Sequence, residues 1–181
     1  DKMGIRGSQT VELVIEDLHV PASSRLGNEG DGMKIAMKTL DSGRLMVAAQ
    51  AVGCGQRALD LTVDYVKNRI ENGKPLAKQQ AIAFKIAEME SMVEAARQLV
   101  HRGALLKDSK QPYSHHSAIT KLFATEMAMT VANEAMEIMG TYGYTKDSPI
   151  EKIWRDARIL SIYEGTNQIQ RLVISGALLK K

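Results

Sequence analysis

The chain has 181 residues, of which 44% are hydrophobic and 25% charged, and its formal net charge is +3. This length suits one well-buried domain, and the composition is that of a globular protein rather than a disordered segment. Lysines and arginines alternate with acids and form no basic block, which argues against a nucleic-acid partner. No apolar run approaches the ~20 residues that a membrane-spanning helix needs.

The composition also favours helices and a reducing compartment. Aromatic residues are only 4% while methionines number ten, a mixture that suits closely packed helices better than a β-sandwich. Cys54, the single cysteine, lies between two glycines of an apolar run, and we interpret it as a buried small residue. We expect the cytoplasm if the source is bacterial, or the mitochondrial matrix if it is eukaryotic. The opening Asp1-Lys2-Met3 and the lack of a signal peptide predict a processed chain or a piece of a longer one.

The first predicted element is a β-strand over residues 10–20. Val11, Leu13 and Ile15 alternate with mostly polar residues, and the run stops at Pro21. Since a lone strand is not stable, it either packs on a domain that is absent here or is the frayed end of one. Residues 27–32 are glycine-rich and predict a loop whose spacing is not that of a dinucleotide-binding turn.

Helices are predicted from there onwards. Residues 33–40 form a short amphipathic segment, and a long helix follows, ending near residues 72–75. Its apolar residues recur every seven positions, at Leu45, Val52, Leu59 and Val66. A second long helix carries Ile82, Ile86, Met89, Val93, Ala96 and Val100 and extends to about residue 107.

Three further helices complete the prediction. Ser114 is a candidate N-cap for a third long helix, which Gly140 ends. Residues 150–162 and 166–179 form the last two. Long amphipathic helices joined by short loops predict an all-α fold, an up-down four-helix bundle with a short N-terminal β remnant.

The usual chemistries of helical bundles are not indicated. A di-iron centre needs inward-facing glutamates and paired Glu-x-x-His motifs, and the only such motif, Glu16 to His19, lies in the predicted strand. His115 and His116 are adjacent, so on a helix their side chains point apart. We therefore predict no metal site, and neither a P-loop nor a Gly-x-Ser-x-Gly motif is present.

The informative segment is residues 155–158 together with residues 162–171. There Glu164 is followed by Gly165 between two apolar-faced helices. One interpretation is a solvated glutamate at a helix end with a glycine stop. The other is a carboxylate presented from a helix junction for chemistry.

This segment resembles the catalytic segment of acyl-CoA dehydrogenases, most closely the short-chain, butyryl-type branch. The resemblance continues along the chain, in family order, at residues 2–8, 16–17, 20–21, 39–44, 75–80 and 140–144. It implies that residues 1–24 are the end of the family's middle β-domain with a linker. Residues 25–181 would be its C-terminal helical bundle.

The resemblance implies that Glu164 takes the α-proton of an acyl-CoA while the β-hydrogen leaves as hydride to FAD. Its backbone N–H and a flavin ribose hydroxyl would stabilise charge on the thioester carbonyl. Gly165 would leave room for the thioester, and Tyr163 would lie near the substrate. Some branches carry the base immediately before the residue matched by Arg44, but here that position is Gly43, which cannot act as a base.

Two further substrate contacts are implied. Asp41 and Arg44 match residues on the family's substrate side. The alternative is an i,i+3 ion pair on the surface, which would contribute little to stability.

The implied FAD contacts match unevenly. The matching residues are Arg69, Gln80, Gly140, Thr166 and Gln168. The departures are Asn72 for a phenylalanine, Glu137 for a glutamine and Thr141 for a glycine, with Glu71 as an additional acid. A carboxylate near a pyrophosphate is repulsive and a threonine side chain hinders close backbone approach. We hypothesise that FAD is bound more weakly or through altered contacts.

The implied partners are an acyl-CoA substrate, an electron-transfer flavoprotein and a second copy of the chain, as a homodimer or homotetramer. An enoyl-CoA reductase using the same site is an alternative, and so are a catalytically degenerate paralogue with an assembly role and a plain helical interaction module. The piece of chain in hand is expected to be inactive alone, because the family's other domains contact the flavin ring.

Overall fold

The computed structural model describes residues 1–179, and within them the fold is five α-helices with one very small sheet. The helices are α1 (Gly32–Asn68), α2 (Gln80–Asp108), α3 (Ser114–Met139), α4 (Pro149–Ala157) and α5 (Asn167–Leu179). Four short 3₁₀ segments lie at Ala22–Ser24, Leu76–Lys78, Tyr142–Tyr144 and Arg158–Ser161. The all-α prediction is confirmed. Among these residues no helix is both long enough and apolar enough to cross a bilayer.

The three long helices run up, down and up. Gly103 of α2 lies against Leu45 near the start of α1, while Arg97 donates to Gln56 further along α1, so these two helices are antiparallel. Helices α2 and α3 are antiparallel as well, because Lys85 pairs with Glu134. Helix α3 is central and packs on the other four.

The core is built largely of alanine, valine and methionine. Small side chains on α3, including Ala124, Ala128 and Ala135, are completely buried, which allows α1 and α3 to approach closely. The predicted seven-residue seam lies in this core, since Leu45, Val52, Leu59 and Val66 are all buried. Cys54 is half-buried, and burial raises the pKa of its thiol, which disfavours the nucleophilic thiolate.

The predicted strand over residues 10–20 is wrong for this chain. These residues form no strand and are exposed. A strand requires a partner for its backbone groups, and no partner segment exists among the described residues. Residues nearer the N-terminus are ordered against α4, where the N–H of Ile5 donates to Asp156 Oδ1 at 2.6 Å. The domain boundary after residue 24 stays a prediction.

Several predicted boundaries also need correction. The short segment 33–40 is the first part of α1 and not a separate helix, because α1 continues without a break from Gly32 to Asn68. The fourth helix ends at Ala157 and continues as the 3₁₀ segment Arg158–Ser161. Ser114 does not cap α3, since its hydroxyl donates across to Asp41 Oδ1 at 2.9 Å.

The expected helix stop at residues 72–75 is a hairpin. Strands β1 (Ile70–Glu71) and β2 (Lys74–Pro75) pair antiparallel. Asn72 and Gly73, between them, both have positive φ, at 50° and 75°. An Asn-Gly pair suits such a turn because both residues tolerate the left-handed conformation. The hairpin turn is therefore a structural explanation for asparagine at position 72.

Candidate functional site

Glu164 lies in a strained turn between the 3₁₀ segment Arg158–Ser161 and α5. The helical hydrogen bonds end when Ile162 and Tyr163 both donate to the carbonyl of Ile159, at 2.8 and 3.2 Å. Glu164 then has φ 54° and Gly165 has φ 88°. A left-handed conformation is unfavourable for a residue other than glycine, and it persists where surrounding contacts over-determine it. We call residues 164 and 165 the base turn.

The half-buried carboxylate of Glu164 lies directly against Gly43 of α1. A Cβ built on Gly43 would lie 2.7 Å from Cδ of Glu164 and still closer to Oε2. No side chain fits there without displacing the carboxylate. Glycine at position 43 therefore does more than remove a rival base, because it provides the space that Glu164 occupies.

The backbone of the base turn is asymmetric in its hydrogen bonds. Its carbonyl oxygens are held from inside the protein, since Gln170 Nε2 donates to the carbonyl of Gly165 at 2.9 Å. Within residues 1–179, the N–H of Glu164 donates to no protein group. A half-buried carboxylate and a free N–H on one residue can accept a proton and donate a hydrogen bond.

Asp41 and Arg44 form a buried pair beside this turn. Arg44 Nη1 donates to Asp41 Oδ1 at 2.8 Å, and the two side chains are only 5% and 17% exposed. The interpretation as a surface ion pair is therefore wrong. A buried pair of this kind fixes charge and geometry, and removing either partner would leave the other uncompensated.

Tyr163 faces α1 from the other side of the junction. Its hydroxyl donates to Oε1 of Gln50. Burial raises the pKa of the Tyr163 phenol, and the neighbouring Cys54 and Glu164 raise it further. The phenol is thus a neutral hydrogen-bonding group at physiological pH. Its predicted role near the substrate stays a prediction.

Thr166 and Gln168, which match FAD contacts, line an open cleft of about 590 Å³ next to Glu164. Arg158 and Arg171 line the same cleft. Thr166 is at the N-cap of α5, and its hydroxyl accepts from the N–H of Ile169 at 3.4 Å. Arg171 is paired with Glu126, which lines the same cleft, so Arg158 is the guanidinium group there that pairs with no carboxylate among the described residues. One such guanidinium with hydroxyl and amide groups nearby fits an anionic, polyhydroxylated ligand such as a dinucleotide.

The other positions predicted to contact FAD, both matches and departures, lie at the far end of α1 and α3 and are exposed. Arg69 is the C-cap of α1, Gln80 begins α2, Gly140 is the C-cap of α3, and Thr141 precedes the 3₁₀ segment Tyr142–Tyr144. Glu137, on the last turn of α3, accepts from Lys85 Nζ at 3.1 Å. The structure does not bring this group to Glu164 within one chain.

The cationic side chains at this second group of residues are paired with carboxylates. Lys85 also pairs with Glu134, and these two glutamates raise the pKa of its ammonium. Nε of Arg69 lies 3.7 Å from Oε1 of Glu71. The charges that a pyrophosphate would meet are thus already engaged by carboxylates.

Comparison with known proteins decides the family. The family model described as the acyl-CoA dehydrogenase C-terminal domain matches residues 30–179. The chain belongs to the acyl-CoA dehydrogenase family. The short-chain specific mitochondrial acyl-CoA dehydrogenase of Bos taurus is 52% identical over 180 residues, covering 99% of this chain and 44% of that protein.

Two further relatives fit the same assignment. The structure of butyryl-CoA dehydrogenase from Megasphaera elsdenii has a TM-score of 0.98 and 51% identity, covering 99% of this chain and 47% of that one. Acryloyl-CoA reductase (NADH) of Anaerotignum propionicum is 49% identical, covering 99% of this chain and 46% of that protein. The predicted family and its short-chain branch are confirmed. The chain spans less than half the length of these relatives.

Sequence reasoning missed two polar residues of the site, Lys121 and Gln170. Lys121 is fully buried, and its Nζ donates to the carbonyl of Gly165 and to Asn167 Oδ1, both at 2.9 Å. The available signal was a lysine in the stripe of α3 that also carries Ala118, Thr125 and Ala128. A charged residue on the buried face of an acyl-CoA dehydrogenase helix requires a local explanation.

Proposed function

We propose that the full-length protein is a flavin-dependent dehydrogenase of short acyl-CoA thioesters, with Glu164 as the catalytic base. The observation that carries the proposal is the presentation of Glu164 from the left-handed base turn, with its carboxylate against Gly43. The identity to short-chain members of the family supports a short acyl chain.

The proton transfer requires a base and stabilisation of the resulting charge. The α-proton of a thioester is weakly acidic, so the carboxylate of Glu164 takes it while the free N–H of the same residue donates to the thioester carbonyl. Gly165, which has no side chain, leaves space beside that carbonyl. The pair of Arg44 and Asp41, next to Gly43 on α1, is the proposed contact on the substrate side.

FAD is the proposed cofactor, and when bound it supplies the acceptor for the β-hydrogen, which leaves as hydride. Thr166 and Gln168 would hold it beside Glu164. Arg69 and Gly43 lie about 39 Å apart along α1 at the helical rise of 1.5 Å per residue. One FAD with its ring at Glu164 would not reach Arg69 of the same chain, so a second copy would supply Arg69, Gln80, Glu137, Gly140 and Thr141.

This arrangement makes the proposed assembly a homodimer or a homotetramer built from dimers. The reduced cofactor must pass its electrons on, and an electron-transfer flavoprotein is the proposed acceptor, as the family resemblance implies. The acyl-CoA is the proposed substrate.

Replacing Glu137 by glutamine is expected to tighten FAD binding. Glu134 and Glu137 share one ammonium, so the cluster with Lys85 keeps a net negative charge toward a pyrophosphate. Removing one charge at this exposed site is worth about 1 kcal/mol, roughly fivefold in Kd. Fluorescence titration of the apoprotein with FAD measures it.

Glu90→Gln, which removes an exposed acid from α2, is the control and leaves the Kd unchanged. Equal FAD affinity for the wild type and Glu137→Gln would contradict the assignment of Glu137 to the cofactor face.

A second candidate, an enoyl-CoA reductase, is favoured by one observation. Acryloyl-CoA reductase (NADH) of Anaerotignum propionicum is 49% identical to this chain. The same residues serve both directions, because Glu164 would return the proton to Cα that it removes in dehydrogenation. A degenerate paralogue with an assembly role is disfavoured by the intact geometry of Glu164 and Gly43.

The test is anaerobic addition of butyryl-CoA to the full-length protein reconstituted with FAD. A dehydrogenase loses its flavin absorbance within seconds, and octanoyl- and palmitoyl-CoA act more slowly. A reductase instead shows preferential reoxidation of the reduced flavin by an enoyl-CoA. A protein that binds no flavin, or whose flavin no acyl-CoA bleaches, would overturn the proposal.

A further inference from the structure

The ammonium of Lys121 lies in the protein interior without a salt bridge. The side chain projects from α3, has no exposed surface, and is in no ion pair among the described residues. Burying an ammonium is unfavourable unless hydrogen bonds and charges compensate it. Its two acceptors, the carbonyl of Gly165 and Oδ1 of Asn167, both belong to the segment that presents Glu164.

The base turn is the conformation that these bonds hold. Glu164 and Gly165 are both left-handed. Lys121 Nζ and Gln170 Nε2 each donate to the carbonyl of Gly165 at 2.9 Å, and Gln170 also reaches the carbonyl of Glu164 at 3.4 Å. Two fully buried donors from different helices thus fix the backbone of one turn.

The same contacts determine where the functional groups of Glu164 point. With the carbonyl of Gly165 held inward, Glu164 extends its carboxylate over Gly43, and its N–H stays free of protein acceptors. Thr125 of α3 donates to Asn167 Oδ1 at 3.1 Å, so the first residue of α5 is held from the same side. Helix α3 therefore holds both the turn and the start of α5.

The charges around Lys121 connect it to Glu164 as well. Besides its two oxygen acceptors, the charged groups that act on Lys121 are Arg44 of α1, which is paired with Asp41, and Glu164. Burial lowers the pKa of Lys121 to about 8, and Arg44 acts in the same direction. Glu164 is the anion whose charge opposes this decrease.

We propose that Lys121 is a positioning residue for the base: it fixes the left-handed turn and thereby the carboxylate and N–H of Glu164. The inference deepens the proposed function and rests on it. Lys121 touches neither substrate nor cofactor, and it acts through Gly165 and Asn167.

The experiment compares Lys121→Met with the wild type as full-length, FAD-bound protein. Methionine keeps the length and apolar stem of the side chain but removes the donors and the charge. We expect the rate constant of flavin reduction at saturating butyryl-CoA to fall about 100-fold, as for a displaced catalytic group. The Kd for crotonyl-CoA, the unsaturated product, should weaken by no more than about tenfold, the worth of one hydrogen bond from the displaced N–H, and the flavin content should not change.

Thr62→Val is the matched control. Thr62 is also fully buried, and its hydroxyl donates within α1 to the carbonyl of Ala58, away from the base turn. This variant is expected to keep the wild-type rate of flavin reduction even where it lowers the melting temperature. If Lys121→Met does not fold, Gln170→Met removes the other donor to Gly165 and should also slow flavin reduction by a larger factor than it weakens crotonyl-CoA binding.

The outcomes separate this inference from the proposed function. A wild-type protein whose flavin is not bleached by butyryl-CoA overturns both. If butyryl-CoA bleaches the flavin of the wild type, and bleaches that of Lys121→Met or Gln170→Met at the same rate, the positioning role alone is overturned. A loss of rate that is matched by an equal loss of crotonyl-CoA affinity overturns it too, since that would be general damage to the site.

Discussion

Glu164→Gln in the full-length, FAD-bound protein is expected to slow flavin reduction by butyryl-CoA by roughly 10³- to 10⁴-fold. Glutamine has nearly the same shape, so it fills the space against Gly43, but its amide does not accept the α-proton. The backbone N–H remains, and the affinity for butyryl-CoA should therefore stay within a few-fold. Anaerobic stopped-flow absorbance measures the rate and a spectral titration measures the affinity.

The control for this variant is Glu94→Gln. Glu94 is an exposed acid on α2 that pairs with Arg97, so its removal changes the charge without touching the site. Butyryl-CoA should reduce the flavin of Glu94→Gln at the wild-type rate. A Glu164→Gln protein that keeps a tenth or more of the wild-type rate would show that another group takes the proton.

Gly43→Ala is expected to slow flavin reduction about 100-fold, because the new methyl group displaces the base by the order of 1 Å. Its Cβ would lie 2.7 Å from Cδ of Glu164, far inside van der Waals contact. The carboxylate must rotate away or the base turn must move. Stopped-flow reduction by butyryl-CoA gives the rate, and circular dichroism verifies that the helices are retained.

Gly53→Ala, also on α1, is the matched control, since its Cβ would have nothing within 4 Å. Replacing this mid-helix glycine by alanine should stabilise the folded protein by ~0.5–1 kcal/mol and leave the rate of flavin reduction unchanged. A Gly43→Ala protein as fast as Gly53→Ala would contradict the position of the carboxylate. The same geometry predicts that Gly43→Glu combined with Glu164→Gly is faster than Glu164→Gly alone, because a carboxylate from position 43 enters the same space.

The helices and the base could be predicted from the sequence for different reasons. Helix periodicity is a local property, and the seam through Leu45 and Val66 follows from it directly. The role of Glu164 came from resemblance, because a glutamate before a glycine is by itself more typical of a solvated helix end. Resemblance alone does not show that the carboxylate of Glu164 fills the space that a side chain at position 43 would need, and the structure does.

The errors have a common physical origin in contacts between distant segments. Residues 10–20 alternate as a strand does, but pairing depends on a partner strand, and residues 1–179 provide none for them. Ser114 has the residue type of an N-cap, yet its hydroxyl is used by Asp41 on another helix. Asp41 and Arg44 have the spacing of a surface pair, but tertiary packing buries them, and Ser114 of α3 donates to Asp41.

Lys121 shows most clearly which features of the site could not be predicted from the sequence. Its position in an apolar stripe was visible in the sequence, but its acceptors are more than forty residues away, at Gly165 and Asn167. A left-handed φ at Glu164 is likewise not encoded by glutamate, and it results from the contacts that hold the turn. The most specific features of the site are thus the ones that tertiary structure creates.

The central claim is that the carboxylate of Glu164 removes the α-proton of a short acyl-CoA. The most direct test compares butyryl-CoA with butyryl-CoA deuterated at Cα, in single-turnover flavin reduction by the full-length, FAD-bound protein. We predict a primary isotope effect, with reduction several-fold slower for the deuterated substrate. Flavin reduction at the same rate with both substrates, or no reduction with either, would contradict the claim.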